Sequence, residues 1–181
     1  MIRRNVVMPA LAAAAIFTLF GNPVWGNATV MPARQVGTAA PDFAGKTVEG
    51  GDVSLAGLRK NAGAVILNFW GLRCGACIEE MPHLTKIAED FREKGIAVVG
   101  VNVDGADVAL LKELMDGKNM RPGYTIVADP EFLIAESYQL TAAPLTFIVD
   151  REGMIRFRHE NYSPGDETKI RDVLNGLLKG H

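Results

Sequence analysis

The chain has 181 residues, 48% hydrophobic and 22% charged, with 19 Lys+Arg against 21 Asp+Glu and a formal net charge of −2. That balance excludes the strongly basic surface a nucleic-acid binder needs, so no nucleic-acid partner is expected. Two cysteines and three histidines offer one cysteine pair and no second ligand pair at zinc-site spacing.

The N-terminus reads "MIRRNVVMPALAAAAIFTLFGNPVWGNATV", with Arg3 and Arg4 ahead of a mostly apolar run from Val6 to Phe20. This is the pattern of a secretory signal peptide over residues 1–28, with Gly26 to Ala28 as a small-x-small cleavage site. Fifteen apolar-run residues fall short of the roughly 20 needed to cross a bilayer core, which favours cleavage over an uncleaved anchor. Either way the expected location is periplasmic or extracytoplasmic. Without residues 1–28, 17 Lys+Arg face 21 Asp+Glu, a net charge near −4 over 153 residues. That length suits one domain with a real core.

Residues 29–43, including "PARQVGTAAPDF", lack periodicity and read as an N-terminal arm leading into a domain at 44–181. Gly50-Gly51 between two short alternating runs signals a hairpin. The apolar runs Val65 to Trp70, Ile96 to Val103 and Leu145 to Val149 read as strands. Helical patterns follow at Ile78 to Lys94, Val108 to Met120, Phe132 to Tyr138 and Glu167 to Lys179. Alternating strands and helices predict an α/β fold, a central mixed sheet flanked by helices. A turn at "DREGM" predicts a closing antiparallel hairpin of Leu145 to Val149 with Ile155 to Arg158.

The chemistry is concentrated in "NFWGLRCGACIEEMP", Asn68 to Pro82, which holds both cysteines. A bridge across two intervening residues restrains the unfolded chain little, so a structural staple explains the pair poorly. Cys74 follows a strand and stands where a helix begins, where free backbone N–H groups and the positive dipole end stabilise an anion. The thiolate is the nucleophile, so Cys74 is the expected attacking sulfur and Cys77, one turn on, the resolving one. Competing readings are Cu(I) held by the two thiolates with Met81 or His83, structural zinc, and a peroxidatic cysteine. The last expects Thr or Ser three residues before the cysteine, where this chain has Gly71.

At about 100° per residue Cys77, Met81, Leu84, Ile87, Ala88 and Phe91 share one arc of the following helix. Glu80 lies at the edge of that arc and Glu79 points away. A carboxyl turned towards an apolar core would hold its proton more tightly and exchange it with Cys77; a Glu at the boundary with its head in solvent is the alternative. Pro82 removes a donor and predicts a kink. His83, His159 and His181 receive no role.

From about Val36 onward these blocks resemble the thioredoxin-fold thiol-disulfide oxidoreductases of the TlpA/ResA type. "VGTAAPDF" is similar to the family's opening segment, "VILNFW" with C-x-x-C-x-x-E-x-P to its active-site block, and "AAPLTFIVDREG" to its cis-proline loop and final hairpin. The resemblance implies a thioredoxin fold with an N-terminal β-hairpin extension, and an enzyme acting as a protein thiol-disulfide oxidoreductase. It implies catalytic roles for Cys74, Cys77 and Glu80, and a cis-proline at Pro144 beside Ala143. Asn68 stands where ordinary thioredoxins have a buried aspartate; an amide cannot take up a proton, which strengthens the case for Glu80. Trp70, Arg73, Ala143 and Pro144 form the expected substrate-facing set, with backbone beside the proline pairing an extended substrate segment. The chain departs from the family at Arg73, where Trp is common, at Gly75-Ala76, where prolines are common, and at Leu145 in place of Thr. Arg73 either lowers the proton affinity of Cys74 or is a solvated surface cation.

The expected partners are proteins carrying disulfides or thiols and a membrane-embedded thiol reductant, with the chain itself a monomer. No cofactor is expected beyond the redox-active Cys74-Cys77 disulfide. The expected task is reduction, as in cytochrome c maturation; an oxidase or isomerase, or a non-enzymatic Cu(I) chaperone, would use the same cysteines.

Overall fold

The apolar run after Gly63 becomes β3 (Ala64–Trp70), and all seven of its residues are buried. In the computed structural model, which describes residues 34–179, it runs parallel to β4 (Ile96–Asn102) and antiparallel to β6 (Leu145–Asp150). Beyond β4 lies β5 (Thr125–Ala128), parallel to it, and beyond β6 lies β7 (Ile155–Glu160), antiparallel. The hairpin of β1 (Ala44–Thr47) and β2 (Asp52–Ser54) joins β5 through β1. The result is a mixed seven-stranded sheet in the order β2-β1-β5-β4-β3-β6-β7. The signal peptide expected over 1–28 and His181 lie outside the described residues.

Among the described residues five helices flank the sheet: α1 (Leu55–Asn61), α2 (Gly75–Phe91), α3 (Val108–Gly117), α4 (Leu133–Ser137) and α5 (Glu167–Lys179). Their starts are chemically marked. Ser54 Oγ accepts from Gly57 N–H at α1, and Asp107 Oδ1 accepts from Leu110 N–H at α3, satisfying donors that have no partner inside the helix. The β1-β2 turn passes through Gly50 at φ 87°, a backbone conformation open to glycine at little cost.

Strand alternation sorts the core into two faces. Val65, Leu67 and Phe69 of β3 pack with Leu145, Phe147 and Val149 of β6 and with Leu55, Ile134 and Tyr138. The opposite phase sets Ala64 and Ile66 against Leu84, Ile87 and Phe91 of α2 and Ile170 and Leu174 of α5. Trp70, at the end of that second face, packs with Cys77, Met81, Leu111, Met115 and Ile126.

The elements read from the sequence are present, with shifted ends. Two short ones were not expected: β5, four residues between Gly123 and Asp129-Pro130, and α1, under two turns long. Helix α2 begins three residues before Ile78 because Cys74 caps it, and it is continuous over 17 residues with Pro82 inside. The kink expected at Pro82 therefore does not break the helix; Thr85 Oγ donates back to Met81 O at 3.0 Å. The described part of the arm is pinned to the domain. Gly37 N–H donates to Ile155 O, Ile155 N–H to Thr38 O, and Tyr138 O–H to Pro41 O. Among the described residues no helix is long and apolar enough to cross a membrane.

Candidate active site

Between β3 and α2 the chain crosses Gly71 to Arg73, and this short loop is fixed from the end of β4. Asp104 Oδ2 accepts from Leu72 N–H at 2.7 Å and from Asn102 Nδ2 at 2.7 Å. A Cβ at Gly71 would lie 3.2 Å from Asp104 Oδ1, so the residue ahead of the cysteines is kept small by the group that holds the loop. Cys74 N–H donates to Gly71 O at 3.1 Å, closing a turn that delivers Cys74 to the start of α2.

Cys74 is the N-cap of α2: its Sγ accepts from Cys77 N–H at 3.2 Å. The two sulfurs form a disulfide with a Cα–Cα distance of 5.2 Å. Cys77 is 2% exposed while Cys74 is half-buried, so an incoming sulfur meets Cys74. Cys74 Sγ is 3.5 Å from Ala143 O, and the Ala143-Pro144 bond is cis. When the disulfide is reduced, the Cys74 thiol has that carbonyl as an acceptor. Its thiolate has the Cys77 N–H and the positive end of a 17-residue helix, which favour the anion.

One turn after Cys77, Glu80 points into the protein and is 1% exposed, whereas Glu79 is exposed. Of the two readings of Glu80, the buried one holds. Its Oε2 accepts from Asn68 Nδ2 at 2.9 Å, and its Oε1 accepts from Thr146 Oγ–H at 3.1 Å. The second N–H of Asn68 goes to Thr146 Oγ at 2.9 Å, so amide, hydroxyl and carboxyl close a three-membered ring. Burial pushes the Glu80 carboxyl up to about 7 and outweighs these hydrogen bonds, which favour the charged form. A carboxyl with that affinity, on the inner side of Cys77, can take a proton from a thiol and return it near neutral pH.

The structure thus brings together Cys74, Cys77, Glu80, Ala143 and Pro144, with Arg73 exposed beside them. Trp70 is a correction. It was expected to face substrate, but it is 0% exposed because it is the last residue of β3 in the inward phase, with its indole across Gly100. A Cβ at Gly100 would stand 3.1 Å from Trp70 Nε1, 3.1 Å from a Tyr124 ring carbon and 2.9 Å from Ile126 Cδ1. Trp70 is a wall behind the cysteines.

Thr146 and Asp104 were missed. Their partners lie 66 and 32 residues away, beyond any local pattern; only the polar interruption of an apolar strand at Thr146 hinted at a role. Among the described residues no three His, Cys, Asp or Glu side chains converge as a metal-binding group.

A central sheet with a Cys-x-x-Cys disulfide capping a helix, opposite a cis-proline, defines the class of thioredoxin-fold protein thiol-disulfide oxidoreductases. The chain belongs to the AhpC/TSA family, whose model matches residues 36–158. It is 27% identical over 176 residues to the thiol-disulfide oxidoreductase ResA of Bacillus anthracis, covering 97% of this chain and 93% of that one. With the ResA of Geobacillus thermodenitrificans it shares 28% over 156 residues, 86% and 84% of the two chains. Among solved structures it resembles a Chlorobium tepidum protein assigned as a thiol:disulfide interchange protein DsbE. The TM-score is 0.71 and the identity 26%, with 80% and 98% of the chains covered. A thiol:disulfide interchange protein from Bacteroides sp. gives a TM-score of 0.65 at 26% identity, covering 82% and 96%. The expected TlpA/ResA-type resemblance and thioredoxin fold are borne out.

Proposed function

We propose that this chain is an extracytoplasmic reductant of protein disulfides, with Cys74 as nucleophile, Cys77 as resolving thiol and Glu80 as the proton carrier between them. The observation that carries the reading is the buried Glu80 carboxyl directly behind a Cys-x-x-Cys cap of which only Cys74 is accessible. The Cys74 thiolate attacks one sulfur of a substrate disulfide; that S–S bond breaks, and the leaving thiolate takes a proton from solvent. Cys77 then gives its proton to the Glu80 carboxylate and attacks the Cys74 sulfur. The mixed disulfide breaks, and the second substrate thiolate leaves and is protonated at the expense of the Glu80 carboxyl. The substrate gains two electrons and two protons, and the protein ends as the disulfide.

Backbone at Ala143 and the start of β6 is where an extended substrate segment pairs in this reading, with Arg73 at its rim. Return to the dithiol requires an external dithiol, supplied by a membrane-embedded thiol carrier. The resemblance supports a task such as cytochrome c maturation, export by residues 1–28, a monomeric protein and no cofactor beyond the Cys74-Cys77 couple.

The roles are tested by trapping. Cys77→Ala is expected to accumulate a mixed disulfide with a disulfide-bonded protein such as insulin, and Cys74→Ala to accumulate none. Equal trapping by both variants overturns the assignment. Direction is tested by the equilibrium potential of the pair. A value near about −270 mV fits a reductant, and one near about −120 mV makes the protein a disulfide donor.

A further inference from the structure

Glu80 is buried, yet the ring of side chains that holds it continues towards the surface. Asn68 of β3 is the Cα partner of Thr146 of β6, and Thr146 is the Cα partner of His159 of β7. Residues directly opposite in neighbouring strands point to the same face with Cβ atoms roughly 4.5–5.5 Å apart. Asn68, Thr146 and His159 therefore form one polar row under α2, flanked along their strands by Ile66 and Trp70, by Ile148 and by Phe157. The inner end of the row binds Glu80. Its outer end, His159, is 22% exposed, and its Nε2 lies 2.9 Å from Asp166 Oδ2.

Asp166 is itself firmly held. It receives the Lys169 ammonium at 2.6 Å and the Ser163 N–H at 2.8 Å, and these bonds with the one to His159 keep its carboxyl well below the ordinary carboxylate range. An anion so fixed orients the imidazole through its Nε2. The other titratable groups that interact with Glu80 are the phenols of Tyr124, ahead of β5, and Tyr162, after β7. Both phenols are raised above their ordinary range, first by burial, and stay neutral. Further out, His83 of α2 and Glu167 of α5 face one another at 3.7 Å, and Tyr162 O–H donates to Glu167 Oε2. His159 and Asp166 are the charged groups whose field acts on the Glu80 carboxyl, the imidazolium lowering its proton affinity and the carboxylate raising it.

We propose that His159, oriented by Asp166, is a positioning residue whose charge governs when the buried Glu80 carboxyl takes up and releases its proton. This rests on the reading of Glu80 as the proton carrier. A protonated His159 favours the Glu80 carboxylate, ready to accept from Cys77; a neutral His159 favours the carboxylic acid. The chain would in this way couple the resolving step to external pH through a residue that touches neither sulfur.

The test is the titration of the Glu80 side-chain carboxyl carbon by NMR in the full-length oxidised protein, in the wild type, His159→Gln and His159→Lys. Gln retains hydrogen bonding without charge and should raise the Glu80 midpoint, by on the order of half a pH unit. Lys keeps a permanent positive charge against Asp166 and should leave the midpoint at or below the wild-type value. The pH profile of mixed-disulfide resolution should move in the same two directions. A midpoint that does not rise in His159→Gln, or that rises equally in both variants, overturns the proposal and reduces His159 to a structural pin. The cysteine-trapping experiment is blind to all of these outcomes, so the proposal and the function it rests on fail separately.

Discussion

On the face of β3 that carries Val65, Leu67 and Phe69, the packing against β6 and Tyr138 is apolar and largely aromatic. Phe69, Phe147 and Tyr138 form a ring cluster with centroids 5.2–6.2 Å apart. On the other face, at the same depth, stand Asn68, Thr146 and Glu80, closed into a ring by three hydrogen bonds. The first face supplies burial, at about 25 cal/mol per Å² of apolar surface. The second gives up part of that stabilisation to keep a carboxyl away from water, where its proton affinity matches the working pH of a thiol. One strand thus carries only scaffold in its odd positions and, at Asn68 among its even ones, chemistry.

The largest expected effect separates the two faces. Phe147→Ala should lower stability by about 3–5 kcal/mol in urea unfolding while leaving the Glu80 titration midpoint in place; a shifted midpoint would mean the faces are coupled.

Next comes the cost of the polar face itself. Glu80 has an ordinary value of 4.5 and is raised to about 7 when folded, so the folded state binds the proton more tightly than the unfolded one. Its contribution is therefore full below pH 4.5 and lost as pH rises through 7, on the order of 3 kcal/mol in all. Asp150 and Asp166 are shifted downward, and their contributions are lost on the acid side, below the ordinary carboxylate range. The measured stability should fall between pH 5 and 8, and Glu80→Gln should flatten that slope. A slope that persists in the variant would place the responsible group elsewhere.

Gly100→Ala probes the seam between Trp70 and Tyr124. The Cβ has no room against two rings, and a loss of about 2 kcal/mol is expected by thermal or urea unfolding. A neutral effect would show that the wall behind the cysteines is soft. Thr146→Val keeps the shape of the polar ring and removes one donor to the charged carboxyl. It should raise the Glu80 midpoint by roughly half to one unit; a lowered midpoint would contradict the bond direction assigned to Thr146.

The legibility of the molecule in its sequence follows the same division. Long apolar strands and the α2 arc were readable because periodicity is local: Cys77, Glu80, Met81, Leu84, Ile87, Ala88 and Phe91 are the buried residues of α2. The short elements were not, since four residues of β5 and seven of α1 carry too few repeats to show a period. At the site, the cysteines and Glu80 were legible from one 15-residue stretch. Thr146, Asp104 and His159 were not, because their meaning lies in strand register and loop contacts across dozens of residues. Trp70 was misread for a related reason. Its place beside the motif suggested contact with substrate, while the pleat of β3, which decides where it points, turns it inward.

The most direct test of the account is the rate of mixed-disulfide resolution by Cys77, measured from pH 5 to 9 in the wild type and in Glu80→Gln. The account predicts a wild-type profile with an inflection near pH 7 and, in the variant, slower resolution without that inflection. Equal rates and equal profiles would contradict it, leaving Glu80 a buried carboxyl with no part in the chemistry.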